Sequence, residues 1–262
     1  MNERVPKVTG WLKRGFTRYA RRYVRRHFHS FRIAREMRPQ VDERASFVAY
    51  ANHPSWWDPL TAVVAADELF SDYAFYAPIE ADMLEKYAVF KKLGFFGVEP
   101  GEATGGIRFL RTSLAVLEQP RSSLWVTAEG RFSDPRQRPI RLQPGLAHLA
   151  RRMRSGVLLP VAIEYVYWTE RFPEILVGFG SPIDPRESEV CDTQTWTARL
   201  QHALTDTMDR LADLAIARDP AAFEPILEGR FGVGGVFDAC RRLRARLRGE
   251  SFDARHMNEG TR

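Results

Sequence analysis

Within the run YANHPSWWDPL, Tyr50 to Leu60, a histidine and an aspartate stand close enough to act together: Asp58 follows His53 after four intervening residues. Imidazole titrates near neutrality, and a carboxylate that holds one ring nitrogen leaves the other free to take a proton. The chemistry this suggests is general-base activation of a weak nucleophile such as a hydroxyl. Asn52-His53-Pro54 ends an apolar run, which reads as a buried strand delivering His53 to its carboxyl end. Active crevices of open α/β sheets lie along that edge. A plainer alternative gives Asp58 to the first turn of the following helix, where its charge suits the dipole, with His53 filling the turn. Taken alone, so short a pattern favours the plainer alternative.

The elements that must position this corner alternate along the chain. SFVAYAN reads as a strand and DPLTAVVAADELF as a helix; DYAFYAPIE is a strand, followed by a helix in EADMLEKYAVFKKLG stopped by Gly94. GFFGVE is short and extended, ATGGIRFLRTSLAVLEQP helical, and SSLWVTAEG a strand running into a loop. QPGLAHLARRMRSG is a helix ended by Gly156, VLLPVAIEYVYW and PEILVGFGSPI are strands, and TQTWTARLQHALTDTMDRLADLAIAR is a long amphipathic helix. This alternation predicts an α/β fold with a mainly parallel sheet flanked by helices.

Both ends are basic and amphipathic. In WLKRGFTRYARRYVRRHFHSFRIAREMRP, Leu12, Phe16, Tyr19, Tyr23, Phe31 and Ala34 recur at helical spacing among arginines, predicting one helix ended near Pro39. VFDACRRLRARLRG predicts a second such helix. The expected organisation is a basic helix over 1–40, a catalytic domain over 41–220 and a basic helical extension over 221–262.

With 262 residues, 44% hydrophobic and 27% charged, the chain suits one sizeable globular domain. Net charge +6 points to an anionic partner. Cys191 and Cys240 have neither metal nor redox spacing, which suits free thiols in a reducing compartment. The opening MNERVPKVTGWLKRGF lacks the apolar core of a secretory signal. GVLLPVAIEYVYW is the most apolar stretch; it is interrupted by Pro160 and Glu164 and falls short of the ~20 residues a spanning helix needs. A protein of this kind that meets a membrane lies on its surface.

The His53–Asp58 spacing, with Asn52 before it, resembles the catalytic motif of the glycerolipid (lysophospholipid) acyltransferases, and three further blocks resemble that family in order. LGFFGVEP (Leu93–Pro100) resembles the second block, which helps bind the acceptor and here contains Gly97. AEGRFS (Ala128–Ser133) resembles the third, usually Pro-Glu-Gly-Thr-Arg-Ser, whose acidic and basic residues bind the acceptor's phosphate end. GVLLPVAI (Gly156–Ile163) resembles the fourth, a strand whose proline, here Pro160, lies near the acyl site. LQPGLAHLA (Leu142–Ala150) resembles the glycine-bearing helix usually found between the third and fourth.

Two departures stand out. Pro100, preceded by Glu99, occupies the end of the second block where arginine is common, and Phe132 takes the arginine's place in the third, with Arg131 shifted next to Gly130. Either Arg131 meets the phosphate, with Lys91, Lys92, Arg108 or Arg111 as helpers, or the acceptor differs.

The resemblance implies acyl transfer from acyl-CoA or acyl carrier protein to a hydroxyl of a lysophospholipid or 1-acylglycerol-3-phosphate. His53 would be the base and Asp58 its orienting partner; Asn52, Gly97, Glu129, Gly130, Arg131 and Pro160 would bind substrate. No metal or cofactor is implied beyond the acyl donor as co-substrate. NHPSW is not a nucleophile elbow, so Ser55 is not expected to form an acyl-enzyme. Trp56 and Trp57 read as helix-start packing or, alternatively, an acyl pocket.

GRFGVGGVF imitates a phosphate loop but is expected to be a turn and helix start, with no strand before it. His27, His29, His148, His202 and His256 show no evident carboxylate partner. Aromatic-rich basic helices fit an anionic membrane surface better than nucleic acid, which implies peripheral attachment on the cytoplasmic side. The alternatives are a non-phosphate lipid alcohol as acceptor, or an inactive lipid- or nucleic-acid-binding relative.

Overall fold

The computed structural model describes residues 5–42, 45–99, 101–187 and 192–232. In chain order the regular elements are α1 (Gly10–His27), β1 (Ser30–Ala34), β2 (Phe47–Ala51), α2 (Asp58–Leu69), β3 (Ala74–Glu80), α3 (Ala81–Lys86) and β4 (Phe95–Val98). There follow α4 (Ala103–Leu117), β5 (Ser122–Thr127), α5 (Pro144–Ala150), β6 (Val157–Val166), β7 (Glu174–Phe179), α6 (Thr193–Ala217) and β8 (Phe223–Glu228).

The strands form one eight-stranded sheet in the order β4-β3-β5-β2-β6-β7-β1-β8. From β4 to β6 all neighbours run parallel. Beyond β6 the direction reverses: β7 is antiparallel to β6, β1 parallel to β7, and β8 antiparallel to β1. The reading of an α/β fold with a mainly parallel sheet flanked by helices therefore holds; the two antiparallel pairings lie on the β7–β1–β8 side.

Strand β2 sits at the middle, between β5 and β6, and every residue of FVAYA is buried. A strand covered on both faces must be apolar throughout, which is why this run lacks the alternation of a half-exposed strand. One face of the sheet packs α1 and α2 through Ala20, Val24, Val63 and Val64. The other packs α4, α5 and α6 through Val116, Leu149, Leu200 and Leu204. Helix α6 starts at Asp192, whose carboxylate accepts from the Thr195 amide at 2.7 Å, and it buries Trp196, Leu200, Leu204, Met208 and Leu211 along one stripe. Each such side chain contributes about 1.5–3 kcal/mol of burial, so this stripe fixes the helix.

Several expectations are corrected. The N-terminal helix does not continue toward Pro39: it ends at His27, and Ser30–Ala34 is a buried strand inside the sheet. Its apolar stripe is largely turned inward, because Leu12, Phe16 and Tyr23 pack on the core and Phe31 belongs to β1. The helix expected over EADMLEKYAVFKKLG is broken into α3 and a 3-10 segment at Ala88–Leu93, and Gly94 then ends it in a left-handed conformation, φ 96°. The helix at QPGLAHLA stops at Ala150, short of Gly156.

At the far end, FEPILE is an edge strand, so a strand does precede GRFGVGGVF, and the sheet extends beyond 41–220 on both sides. Pro225 is tolerated there because an edge strand leaves one side unpaired. The second basic helix predicted at VFDACRRLRARLRG, together with Cys191, Cys240, His256 and Pro100, lies outside the described residues. Among the described residues, no helix is long and apolar enough to cross a membrane.

Candidate active site

Strand β2 ends at Ala51, and the next residue secures the corner. The Asn52 side chain donates to the Ile163 carbonyl at 3.0 Å and accepts from the Ile163 amide at 2.8 Å. It thereby continues the β2–β6 ladder one residue after the backbone has left it, and satisfies both polar groups of Ile163. Asn52 is 1% exposed. These bonds give Asn52 a structural part: it fixes where the chain turns into His53.

The turn then folds Asp58 back under the histidine. His53 Nδ1 lies 2.5 Å from Asp58 Oδ2, which also accepts from the Ser55 amide at 3.0 Å. Asp58 Oδ1 accepts from the Tyr165 hydroxyl at 2.7 Å. Asp58 is the first residue of α2, and its bond from the Ser55 amide helps close the helix start. The helix-start position of the plainer alternative is therefore kept, but the histidine does more than fill the turn: Oδ2 is shared by His53 and the Ser55 amide, and Oδ1 is taken by Tyr165. Asp58 is 1% exposed, and a buried carboxylate is tolerable only when its lone pairs are met by donors, as these are. His53 Nε2 has no hydrogen-bond partner among the described residues, and its side chain is 15% exposed. The ring is therefore anchored on one nitrogen and open on the other, the arrangement a general base needs.

The third block docks beside this corner. Loop 128–133 leaves β5 and lies along the chain that leaves β2: the Ala128 amide donates to the Ala51 carbonyl at 2.9 Å and the Ser133 amide to the His53 carbonyl at 3.0 Å. Glu129 is buried, and its Oε1 accepts a long bond, 3.4 Å, from the His53 amide. Gly130 is left-handed, φ 64°, and a Cβ there would meet Gln143 Cγ at 2.7 Å, so the turn demands glycine. Gln143 closes the loop by donating to the Glu129 carbonyl. Arg131 is exposed and has no ion-pair partner among the described residues. Phe132, 60% exposed, lies with its ring centroid 4.4 Å from that of His53.

Other expected residues fall further away. Gly97 is on β4, where a Cβ would crowd Ala81 and Leu84 at 3.3–3.4 Å, so its small size lets α3 approach. Pro160 is buried within β6 opposite Tyr50, about 10 Å along the strand from His53, and its ring meets the sheet face covered by α6. Lys91 and Lys92 precede β4 and so sit at the amino edge of the parallel strands, away from His53. Arg108 is held by Glu99 at 2.5 Å, whereas neither Arg111 nor Arg131 has an ion-pair partner among the described residues. A small cavity between α1, α2, β3 and β4 is lined by Lys13, Phe16, Val63 and Phe75 and by none of the site residues.

Sequence reasoning missed Tyr165. Tyr165 lies on β6, and burial holds its phenol well above the usual tyrosine range, with the Asp58 charge adding to the effect. It therefore remains a donor. Burial also raises the Glu164 carboxyl, opposed by Arg138. Nothing in the local sequence marks Tyr165; only the β2–β6 pairing brings it to the corner. Of the remaining histidines, His27 and His29 bond backbone carbonyls, and His202 makes an exposed helical pair with Asp206 at 3.3 Å, a carboxylate partner the sequence reading had not seen. His148 has no carboxylate partner among the described residues.

No curated protein matched the sequence. The acyltransferase family model matches residues 30–164, just over half of the chain, from the start of β1 to within two residues of the end of β6. That span contains the His53–Asp58 corner and the loop that docks on it, and the chain belongs to the glycerolipid acyltransferase family.

Proposed function

We propose that the protein transfers a fatty acyl group from acyl-CoA or acyl carrier protein to a hydroxyl of a lysophospholipid or 1-acylglycerol-3-phosphate, with His53 as the base. The observation that carries this reading is the 2.5 Å contact between His53 Nδ1 and the fully buried Asp58, with Nε2 left open. His53 Nε2 removes the proton as the acceptor oxygen attacks the thioester carbonyl, and the imidazolium that forms is stabilised by Asp58. Collapse of the tetrahedral intermediate makes the new ester, breaks the C–S bond and returns the proton to the departing thiolate. Arg131 then meets the acceptor's phosphate, and Glu129 holds the loop that carries it.

A second reading is favoured by Phe132. An exposed aromatic ring against the base, in the place where the family usually has arginine, suits an uncharged lipid alcohol as acceptor.

The substrates are insoluble or amphiphilic, and α1 suits peripheral attachment to an anionic surface. Arg14, Arg18, Arg22, Arg25 and Arg26 are exposed on it without ion pairs among the described residues, while Arg21 anchors the helix to Asp67 and Glu68 on α2. Trp11, Tyr19 and the nearby Trp56 are exposed beside them. Basic residues flanking exposed aromatics favour the boundary between headgroups and acyl chains.

The test is a panel of lysophospholipids and neutral lipid alcohols offered with labelled acyl-CoA and acyl carrier protein, with products read by mass spectrometry. Acylated phosphate-bearing lipid is the expected product. Products confined to neutral alcohols would favour the second reading, and no product with any pair would overturn both.

A further inference from the structure

The carboxylate that orients His53 is itself held by groups outside the family's motif. We infer that Tyr165, with Thr61 behind it, is a positioning residue that sets the orientation and basicity of His53 through Asp58, an inference that rests on the acyl-transfer reading above.

The geometry leaves little freedom. Asp58 Oδ2 faces His53 and the Ser55 amide, and Oδ1 faces the Tyr165 hydroxyl at 2.7 Å. With donors on both oxygens the carboxylate cannot rotate about its Cβ–Cγ bond without breaking a charge-assisted bond. Thr61 Oγ1 lies 3.0 Å from the same phenol oxygen. A phenol has one proton, and the bond to an ionised carboxylate is the stronger claim on it, so Thr61 is the donor in that pair. The order of donation is therefore Thr61 to Tyr165 to Asp58, with His53 on the other oxygen. Thr61 stands three residues after Asp58 in α2, on the same face of the helix.

Packing holds the phenol in place. Tyr165 pairs with Ile175 in the β6–β7 ladder, and its ring lies 5.7 Å from that of Phe28, which in turn meets Trp57 edge-on at 4.8 Å. The other charged or titratable residues on elements around the corner are Glu164 on β6, Glu129 and Arg131 in the loop after β5, and His27 at the end of α1. Among the described residues, none of these bonds Asp58. Tyr165 falls one residue beyond the stretch that matches the family, so family membership alone does not point to it.

The electrostatic consequence has a definite sign. A hydroxyl bonded to Oδ1 draws charge away from Oδ2. Without it, Asp58 becomes a stronger acceptor for the His53 Nδ1–H and holds the imidazolium more tightly. His53 would then be protonated at higher pH and would be available as a base over a narrower range.

The experiment compares Tyr165→Phe, Thr61→Val, the double variant and His53→Ala with the wild type, in steady-state kinetics across pH and by NMR titration of protein labelled with 15N-histidine. Tyr165→Phe keeps the ring and its packing. It is expected to lower kcat by about 10- to 100-fold, the rate equivalent of one charge-assisted hydrogen bond, with both KM values within about twofold. The acidic limb of kcat/KM should move to higher pH, and the His53 ring signals should follow it. Thr61→Val should give a smaller loss of the same kind, and the double variant no more than Tyr165→Phe alone. Wild-type kcat and an unmoved His53 titration in a folded Tyr165→Phe protein would overturn the inference, as would a loss confined to KM. If His53→Ala is inactive while Tyr165→Phe is unimpaired, only the role of Tyr165 falls. If His53→Ala retains full activity, the acyl-transfer mechanism falls with it.

Discussion

Replacing Asn52 by alanine tests whether the corner is held by the amide clamp on β6. The side chain makes two hydrogen bonds to one residue, 3.0 Å to the Ile163 carbonyl and 2.8 Å from its amide, in a place that is 1% exposed. Truncation removes both and strands two buried backbone groups, each costing about 1–3 kcal/mol when water cannot reach it. Allowing for partial relaxation, the expected destabilisation is about 2–4 kcal/mol, measured as a lowered urea midpoint at unchanged m-value.

Asn52→Asp sharpens the test through its pH dependence. Its carboxylate can still accept from the Ile163 amide but, once ionised, faces the carbonyl with no proton to give. Burial and that carbonyl raise its folded pKa above the ordinary value of about 3.9. The folded state then binds more protons than the unfolded one above that pH, so stability falls as pH rises from about 4 through the folded pKa. In acid, the protonated carboxyl can donate to the carbonyl much as the amide did. A cost below about 0.5 kcal/mol for Asn52→Ala, the range of an ordinary surface change, would refute the clamp, as would an Asn52→Asp protein whose deficit did not ease in acid.

Three further outcomes are expected. His53→Ala should lower acyl transfer by at least ~10²–10⁴-fold and cost about 1–3 kcal/mol of unfolding free energy, since Asp58 Oδ2 then keeps only the Ser55 amide, while the protein stays folded; Asp58→Asn should leave more residual turnover than His53→Ala. Arg131→Ala should raise the acceptor's KM roughly tenfold or more, the worth of one charged hydrogen bond, and leave the donor's KM unchanged; an effect on the donor side would remove Arg131 from the phosphate role. For the membrane, Arg18→Glu/Arg22→Glu/Arg26→Glu in the full chain should weaken flotation with anionic vesicles by about 1 kcal/mol or more per site, in a salt-sensitive way, with circular dichroism unchanged. Deleting residues 1–38 is by contrast expected to unfold the protein, because it removes β1 from the sheet; a folded truncation that floats as well as the full chain would refute the membrane role of α1.

The amino-acid sequence by itself determined the alternation of strands and helices, because apolar runs of strand length and amphipathic periods of helix length are local properties. It also marked the corner, since a strand that ends in Asn52-His53-Pro54 before a helix beginning at Asp58 is written in eleven consecutive residues. The terminal strands were beyond its reach. Ser30–Ala34 continues the three- and four-residue spacing of α1 and carries Arg32, which reads as the polar face of a helix. Only the pairing of β1 with β7 brings Glu174 to 2.6 Å from that buried guanidinium and makes a strand tolerable there.

The same distinction runs through the site. His53 and Asp58 are neighbours in the chain, so their partnership was legible. Tyr165 is 107 residues from Asp58, and only the parallel pairing of β2 with β6 brings its hydroxyl to the carboxylate. Asn52 could be seen as part of a motif, but its bonds to Ile163, 111 residues away, depend on that same pairing. Local chemistry is carried by spacing along the chain, whereas the satisfaction of a buried polar group depends on whichever distant backbone the fold sets beside it.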